Sequence, residues 1–241
     1  GADAVIITIR NDLTIDAWEP DITIPKKYGI DVVIGDSRGP SGIFRFLRSA
    51  PALKAIADDI RELCPNAIVL NYTNPMCMVT SYMRHNGVDA MGLCHSVQGT
   101  SQMLAKWIGA DMKDVTYRCA GINHQAWLLK IEDLEGNDLY PEIKSRIGAK
   151  MEDPEFKDKV RFDYIRNFGY YCTESSEHNA EYNGFYIKSK YPELIDRYNI
   201  PLDEYPRRCV NQIDGWKKEY AELMEKGVKE HTRSREYASH I

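Results

Sequence analysis

Short β-branched runs alternating with helical stretches constrain this chain more than any other feature. Ala4 to Ile9, Ala67 to Tyr72 and Asp89 to Cys94 are each about six residues long. That length suits a buried strand rather than a helix. After the first run, Asn11 to Pro25 reads as irregular, because it holds Pro20 and Pro25 among alternating polar residues. A glycine-rich loop, Gly35 to Gly42, then leads into Ile43, Phe44 and Leu47 at helical spacing. Pro51 can stand in the first turn of a continuing helix. Leu53, Ile56, Ile60 and Leu63 form one apolar stripe there, with Lys54, Asp58, Asp59, Arg61 and Glu62 outward.

Thr73-Asn74-Pro75 reads as a turn, and Pro75 suits the start of a helix from Met76 to about His85 that Gly87 ends. Ser96 reads as the cap of a helix from Val97 to Ile108. The order strand–helix–strand–helix–strand–helix predicts a parallel, doubly wound sheet. Such sheets bind ligands outside the C-terminal strand ends. Those ends are Ile9-Arg10, Asn71 to Asn74 and Cys94-His95.

The pattern changes after Asp111. Val115 to Cys119 and Gln125 to Ile131 read as antiparallel strands around Gly121-Ile122-Asn123-His124. From Asp153 the chain is helical and polar. The expected organisation is an α/β domain over 1–111 and an α+β, helix-rich domain over 112–241.

Composition narrows the function classes. An apolar fraction of 43% and a charged fraction of 28% fit a globular chain and exclude disorder. A net charge of −5 argues against a nucleic-acid partner. No run approaches the ~20 apolar residues of a membrane span. The six cysteines include no C-x-x-C pair, which excludes a zinc ribbon or thioredoxin-like motif. They read as free thiols in a cytoplasmic protein. The chain begins Gly1-Ala2-Asp3 without Met and ends within a helical pattern, so both ends look cut.

Three strand ends carry candidate chemistry. Asn71 and Asn74 are good turn residues, and they also offer amide groups to sugar hydroxyls or a nicotinamide. Cys94-His95-Ser96 sets a thiol beside an imidazole, as a nucleophile pair or metal ligands. Adjacent strand residues face opposite ways, so Cys94 and His95 are not expected to share one role. His124 can be a structural histidine, or with Cys94 a two-ligand metal site with open positions for substrate oxygens. Tyr237 can be a surface tyrosine, or a base if a cation lowers its pKa. Thr173 to Tyr182 is dense in polar groups suited to sugars or metals, and Ser175 or Ser176 can equally cap a helix there.

Taken together, Leu70 to Met76, Gly92 to Thr100, Arg118 to His124, Thr173 to His178, Pro201 to Pro206 and Ser234 to Ser239 resemble glycoside hydrolase family 4. These enzymes are NAD- and metal-dependent glycosidases, and the melibiase-type alpha-galactosidase branch is the most similar. No single segment decides this; the set, in the family's order across nearly the whole chain, does. The resemblance implies Cys94 and His124 as ligands of a divalent metal, usually Mn²⁺. It implies Asn74 and Asn123 as substrate contacts, Ile9 and Asn71 beside the cofactor, His95 as proton donor and Tyr237 as base at sugar C2. Asp36 and Gly39 to Gly42 match a loop facing the cleft, although Arg38 and Ser41 depart from the usual residues.

The implied reaction oxidises sugar C3 with NAD⁺, eliminates the glycosidic oxygen, adds water and returns the hydride. It is an exception to the two-carboxylate scheme. The implied fold is an incomplete Rossmann-like sheet with a lactate/malate dehydrogenase-like architecture. No G-x-G-x-x-G opens a helix here, and the first strand resembles the fourth of a Rossmann sheet. The chain is therefore expected to be an internal fragment with little turnover alone. The complete protein is expected to be a homo-oligomer acting on a small-molecule glycoside. Three alternatives remain: an alpha-galacturonidase of the same family, with Arg38 or Lys188 meeting the carboxylate, a lactate/malate dehydrogenase-like oxidoreductase, and a non-catalytic sugar- or nucleotide-binding remnant.

Overall fold

The computed structural model describes residues 1–10 and 15–227. Three strands, β1 (Ala4–Ile7), β2 (Ile68–Asn71) and β3 (Ala90–Gly92), form a parallel sheet in that order. Between them lie helices α1 (Ile15–Lys26), α2 (Gly39–Leu63) and α3 (Met76–His85), and α4 (Ser96–Ile108) follows β3. One sheet face presents Ile7, Val69 and Ala90 to Leu53, Ala57 and Ile60 of α2 and Val79 and Met83 of α3. The period-2 alternation of the strands puts these residues on one face. The opposite face carries Ile6, Ile68 and Met91, each more than half exposed.

The second sheet is an antiparallel hairpin, β4 (Val115–Ile122) and β5 (Gln125–Asp133), extended by the short β6 (Tyr171–Cys172). Leu128 and Ile131 of β5 pack against Leu104 and Ala105 of α4, Tyr140 and Ile143 of α5 (Tyr140–Ser145), and Phe162 and Ile165 of α7 (Lys159–Phe168). Helix α6 (Ile147–Met151) lies between α5 and α7 in sequence; α8 (Ser176–Glu181) and α9 (Glu193–Arg197) follow β6. A third cluster joins Val33 and Ile34, ahead of α2, to Val160, Tyr164, Cys172 and Ala180.

Residues 1–205 pack as one compact unit, and the chain from Pro206 forms another, described here through most of α10 (Glu204–Lys226). Among the described residues, no helix is long and apolar enough to cross a membrane.

The parallel sheet and the later hairpin agree with the sequence reading. Several local features differ, among them α2, which begins at Gly39 within the expected glycine-rich loop and holds Pro51 in its interior rather than in a first turn. Ile15–Lys26 is helical despite Pro20 and Pro25. Burial of Trp18 and Ile22, and the Arg48–Asp21 ion pair at 3.0 Å, offset the hydrogen bond that an internal proline removes. Ser96 is the first residue of α4 and does not cap it; His95 holds the N-cap position without a side-chain cap bond.

Candidate metal and sugar site

The site forms where the C-terminal ends of β2 and β3 meet the β4–β5 turn and the start of α8. Asn71 ends β2 fully buried. Its Nδ2 donates to the Thr73 carbonyl and to Thr80 Oγ1, both at 3.2 Å, while its Oδ1 accepts from Thr73 N–H at 3.0 Å. Asn71 thus builds the turn that presents Asn74. The Asn74–Pro75 bond is cis, and Asn74 Oδ1 accepts the Met76 N–H at 3.3 Å. Its amide N–H₂ is the part with donors to offer a ligand.

β3 ends at Gly92, so Leu93 to His95 is a connecting segment rather than strand. The strict alternation expected for Cys94 and His95 does not apply there. Both side chains border one cleft of about 380 Å³, together with Tyr72, Asn74, Thr100 and Glu174. His95 is exposed at its rim, with its ring stacked on Tyr72 at 5.8 Å between centroids.

β4 and β5 pair to Ile122–Gln125, leaving Asn123-His124 as a two-residue turn. Gly121 has φ 138°, and an added Cβ would lie 2.5 Å from both Ala126 Cα and the Gln125 carbonyl oxygen. Only glycine fits that approach. His124 adopts φ 59° and is buried, 7% exposed. Its Nε2 lies 3.3 Å from Glu174 Oε2. The other Glu174 oxygen accepts the Ser175 N–H at 2.9 Å.

Donor atoms of Cys94, His124 and Glu174 all lie within 4.8 Å of one another. Burial pushes the Cys94 thiol up. Hydrogen bonds to His124 and to the Ser96 side chain and backbone, with the His124 charge, bring it down to about 7. A sulfur close to ionising at neutral pH, an imidazole and a carboxylate suit a divalent metal with open positions. His124 Nδ1 and Asn123 Nδ2 are buried without a hydrogen-bond partner among the described residues. The donor set therefore fits a metal on its own chemistry.

Behind His124 lies a second layer. His178 stacks on His124 with centroids 4.7 Å apart, and Tyr182 also stacks on His178, at 4.9 Å. His178 Nδ1 meets Glu181 Oε1 at 2.6 Å. Burial would lower the His178 pKa, but the Glu181 carboxylate outweighs it and raises it, with Asp36 and Glu174 adding. Burial likewise pushes the Asp36 carboxyl up, yet Arg45 at 2.9 Å, His178, Ser37 and His124 together hold it below the usual range.

Of the residues expected from sequence, the structure brings together Asn74, Cys94, His95 and His124. Asn123 neighbours His124 in the turn without lining the cleft, and Ile9, half-buried, lies beside Thr73, which bonds its carbonyl at 3.3 Å. Asn71 is enclosed and serves the turn. Tyr237 lies outside the described residues. Glu174 was signalled only by the polar density of its segment, and His178 and Glu181 were not assigned. Their convergence with His124 depends on long-range folding.

Residues 1–110 match the description "Family 4 glycosyl hydrolase" and residues 119–241 its C-terminal domain. An alpha-galactosidase of Bacillus subtilis (strain 168) is 48% identical over 97% of this chain and 55% of its own length. An alpha-galacturonidase of Thermoanaerobacter italicus is 32% identical over 90% of this chain and 52% of its own. A crystal structure of a 6-phospho-alpha-glucosidase from gut microorganisms, in complex with NAD and Mn²⁺, shares the fold with a TM-score of 0.71 at 20% identity. That match covers 98% of this chain and 56% of the other. The chain spans about half the length of these relatives. It belongs to glycosyl hydrolase family 4.

Proposed function

We propose that this chain supplies the metal- and sugar-binding part of an NAD- and Mn²⁺-dependent alpha-galactosidase. One observation carries the reading: Cys94, His124 and Glu174 converge in a cleft at the C-terminal strand ends of a family 4 chain. Cys94 and His124 would hold the metal, and Glu174 is a third donor beside them. The metal, when bound, supplies a Lewis acid for a chelated sugar oxygen. Asn74 would orient a sugar hydroxyl through its amide. His95, on the solvent-facing rim, would hold the proton that the departing oxygen needs. Tyr237, outside the described residues, would serve as the base at sugar C2. For NAD, the chain offers the ends of β1 and β2 but no pyrophosphate-binding glycine turn, and Asn71 is enclosed.

The electrostatics of the cleft favour a neutral sugar over a uronide. Arg38 donates to Gln125 Oε1 at 2.6 Å and lies over the Tyr182 ring. Lys188 is exposed and away from the cleft lining. Arg161 does line the cleft, but its Nε is paired to Asp158 at 2.6 Å. Its charge is already balanced, and Glu174 opposes a substrate carboxylate.

Residues 1–111 would form the dinucleotide-domain portion and 112–241 the substrate portion of a cytoplasmic homo-oligomer. The test is kinetics on matched nitrophenyl galactoside and galacturonide, with NAD⁺, Mn²⁺ and reductant. The protein would be extended to its relatives' full length. Metal-dependent galactoside preference is expected. Activity indifferent to EDTA would overturn the metal reading, and galacturonide preference would overturn the substrate reading.

A further inference from the structure

We propose that Glu181 is a positioning residue of the metal site, acting through His178 to set the plane of the His124 ring. The inference rests on the metal reading above. Histidines that ligate metals usually donate their second ring N–H to a carboxylate or carbonyl, which fixes ring orientation. His124 departs from that habit: Nε2 faces Glu174, and Nδ1 is buried without a partner among the described residues. Its backbone is in the left-handed region of a two-residue turn, so the turn leaves ring orientation to the surroundings. What lies against the ring is the face of His178, at 4.7 Å and inclined by 28°.

His178 is itself clamped. Glu181 Oε1 takes its Nδ1 at 2.6 Å, while Oε2 accepts three successive backbone N–H groups, Val33, Ile34 and Gly35, at 2.8, 2.8 and 2.9 Å. The Glu181 side chain is 0% exposed. A carboxylate so enclosed costs several kcal/mol in desolvation unless its lone pairs are satisfied. Here both oxygens are. One carboxylate therefore ties the segment before the Asp36 loop to the imidazole that backs the metal-ligand histidine. Asp36 Oδ1 lies 3.9 Å from His178 Nε2, at the far edge of the same ring.

The test is a double-mutant cycle read by Mn²⁺ affinity, under conditions where the variants keep wild-type circular dichroism. Glu181→Gln and His178→Ala are each expected to weaken Mn²⁺ binding by about 10–100-fold. The pair together should be no weaker than His178→Ala alone, because Glu181 acts through that ring. His178→Phe, which restores an aromatic face, should recover part of the loss. Folded His178→Ala or Glu181→Gln with wild-type Mn²⁺ affinity overturns the proposal, as do additive effects. Should Glu181→Gln fail to fold, His178→Ala decides: unchanged affinity there removes the route the proposal requires. Cys94→Ser separates the two readings. If it leaves Mn²⁺ affinity unchanged, the metal site itself is misassigned. If it abolishes binding while the other variants do not weaken it, only the positioning role falls.

Discussion

His124 adopts a left-handed backbone conformation, φ 59° in a two-residue turn, which is uncommon for non-glycine residues and found mostly for asparagine, aspartate and histidine. A non-glycine residue there costs roughly 1 kcal/mol or more. The imidazole stands where backbone preference alone would choose otherwise, which is how strained positions at functional sites arise. His124→Asn suits the same φ, so it is expected to keep the hairpin by circular dichroism and to lose Mn²⁺ binding. Cys94 gives a pH prediction. Its thiol is brought to about 7, chiefly against burial, by His124 and Ser96. Thiolate increases as pH rises, so metal-free protein should be alkylated at Cys94 with a rate rising through a midpoint near that value. Mn²⁺ affinity should fall below it as protons compete for the sulfur. In His124→Asn the alkylation midpoint should move up towards the ordinary value of roughly 8.5. An unmoved midpoint would show that His124 does not tune the thiol.

The β4–β5 hairpin and α7 hold the site's walls. Gly121→Ala would force a Cβ into the backbone of β5 at 2.5 Å, in a φ region closed to alanine. A loss of about 2 kcal/mol or more is expected, with Mn²⁺ binding impaired because His124 follows three residues later. Urea unfolding and Mn²⁺ titration of the variant check both parts. Asp158 joins three elements: it accepts from Arg161 Nε and Ser176 Oγ, both at 2.6 Å, and from the Tyr171 hydroxyl. Asp158→Asn leaves the buried Arg161 cation without its counter-charge. About 3–5 kcal/mol of stability should be lost, read from the urea midpoint.

Element-level legibility divides along physical lines. β1 to β3 and the hairpin were readable because strand periodicity and flanking turns are local. α1 was not, because its stability comes from burying Trp18 and Ile22 and from Arg48, 27 residues beyond its partner Asp21. The Ser96 cap failed for a local reason: the hydroxyl lies 3.4 Å from Cys94 Sγ, so it serves the site rather than the helix end.

In the whole molecule, Cys94 and His124 are paired by family likeness of the sequence, whereas Glu174, His178 and Glu181 converge on them only through the three-dimensional fold. Helix α8 delivers the last two at i and i+3, onto one face, and the Ser175 cap holds its start. The parallel sheet also shows an apolar face, Ile6, Ile68 and Met91, of a kind that α/β proteins normally cover. The 241-residue chain is therefore expected to bind a hydrophobic dye such as ANS. Extended to its relatives' full length, it should bind much less; equal dye binding would contradict that reading.

One cleft is proposed to hold a divalent metal on Cys94 and His124. Cobalt titration of the protein, followed by absorbance, tests it most directly. Saturation at a single equivalent with a thiolate-to-cobalt charge-transfer band is expected, with loss of that band in Cys94→Ser and His124→Asn. A band that survives either substitution, or saturable binding without one, would contradict it.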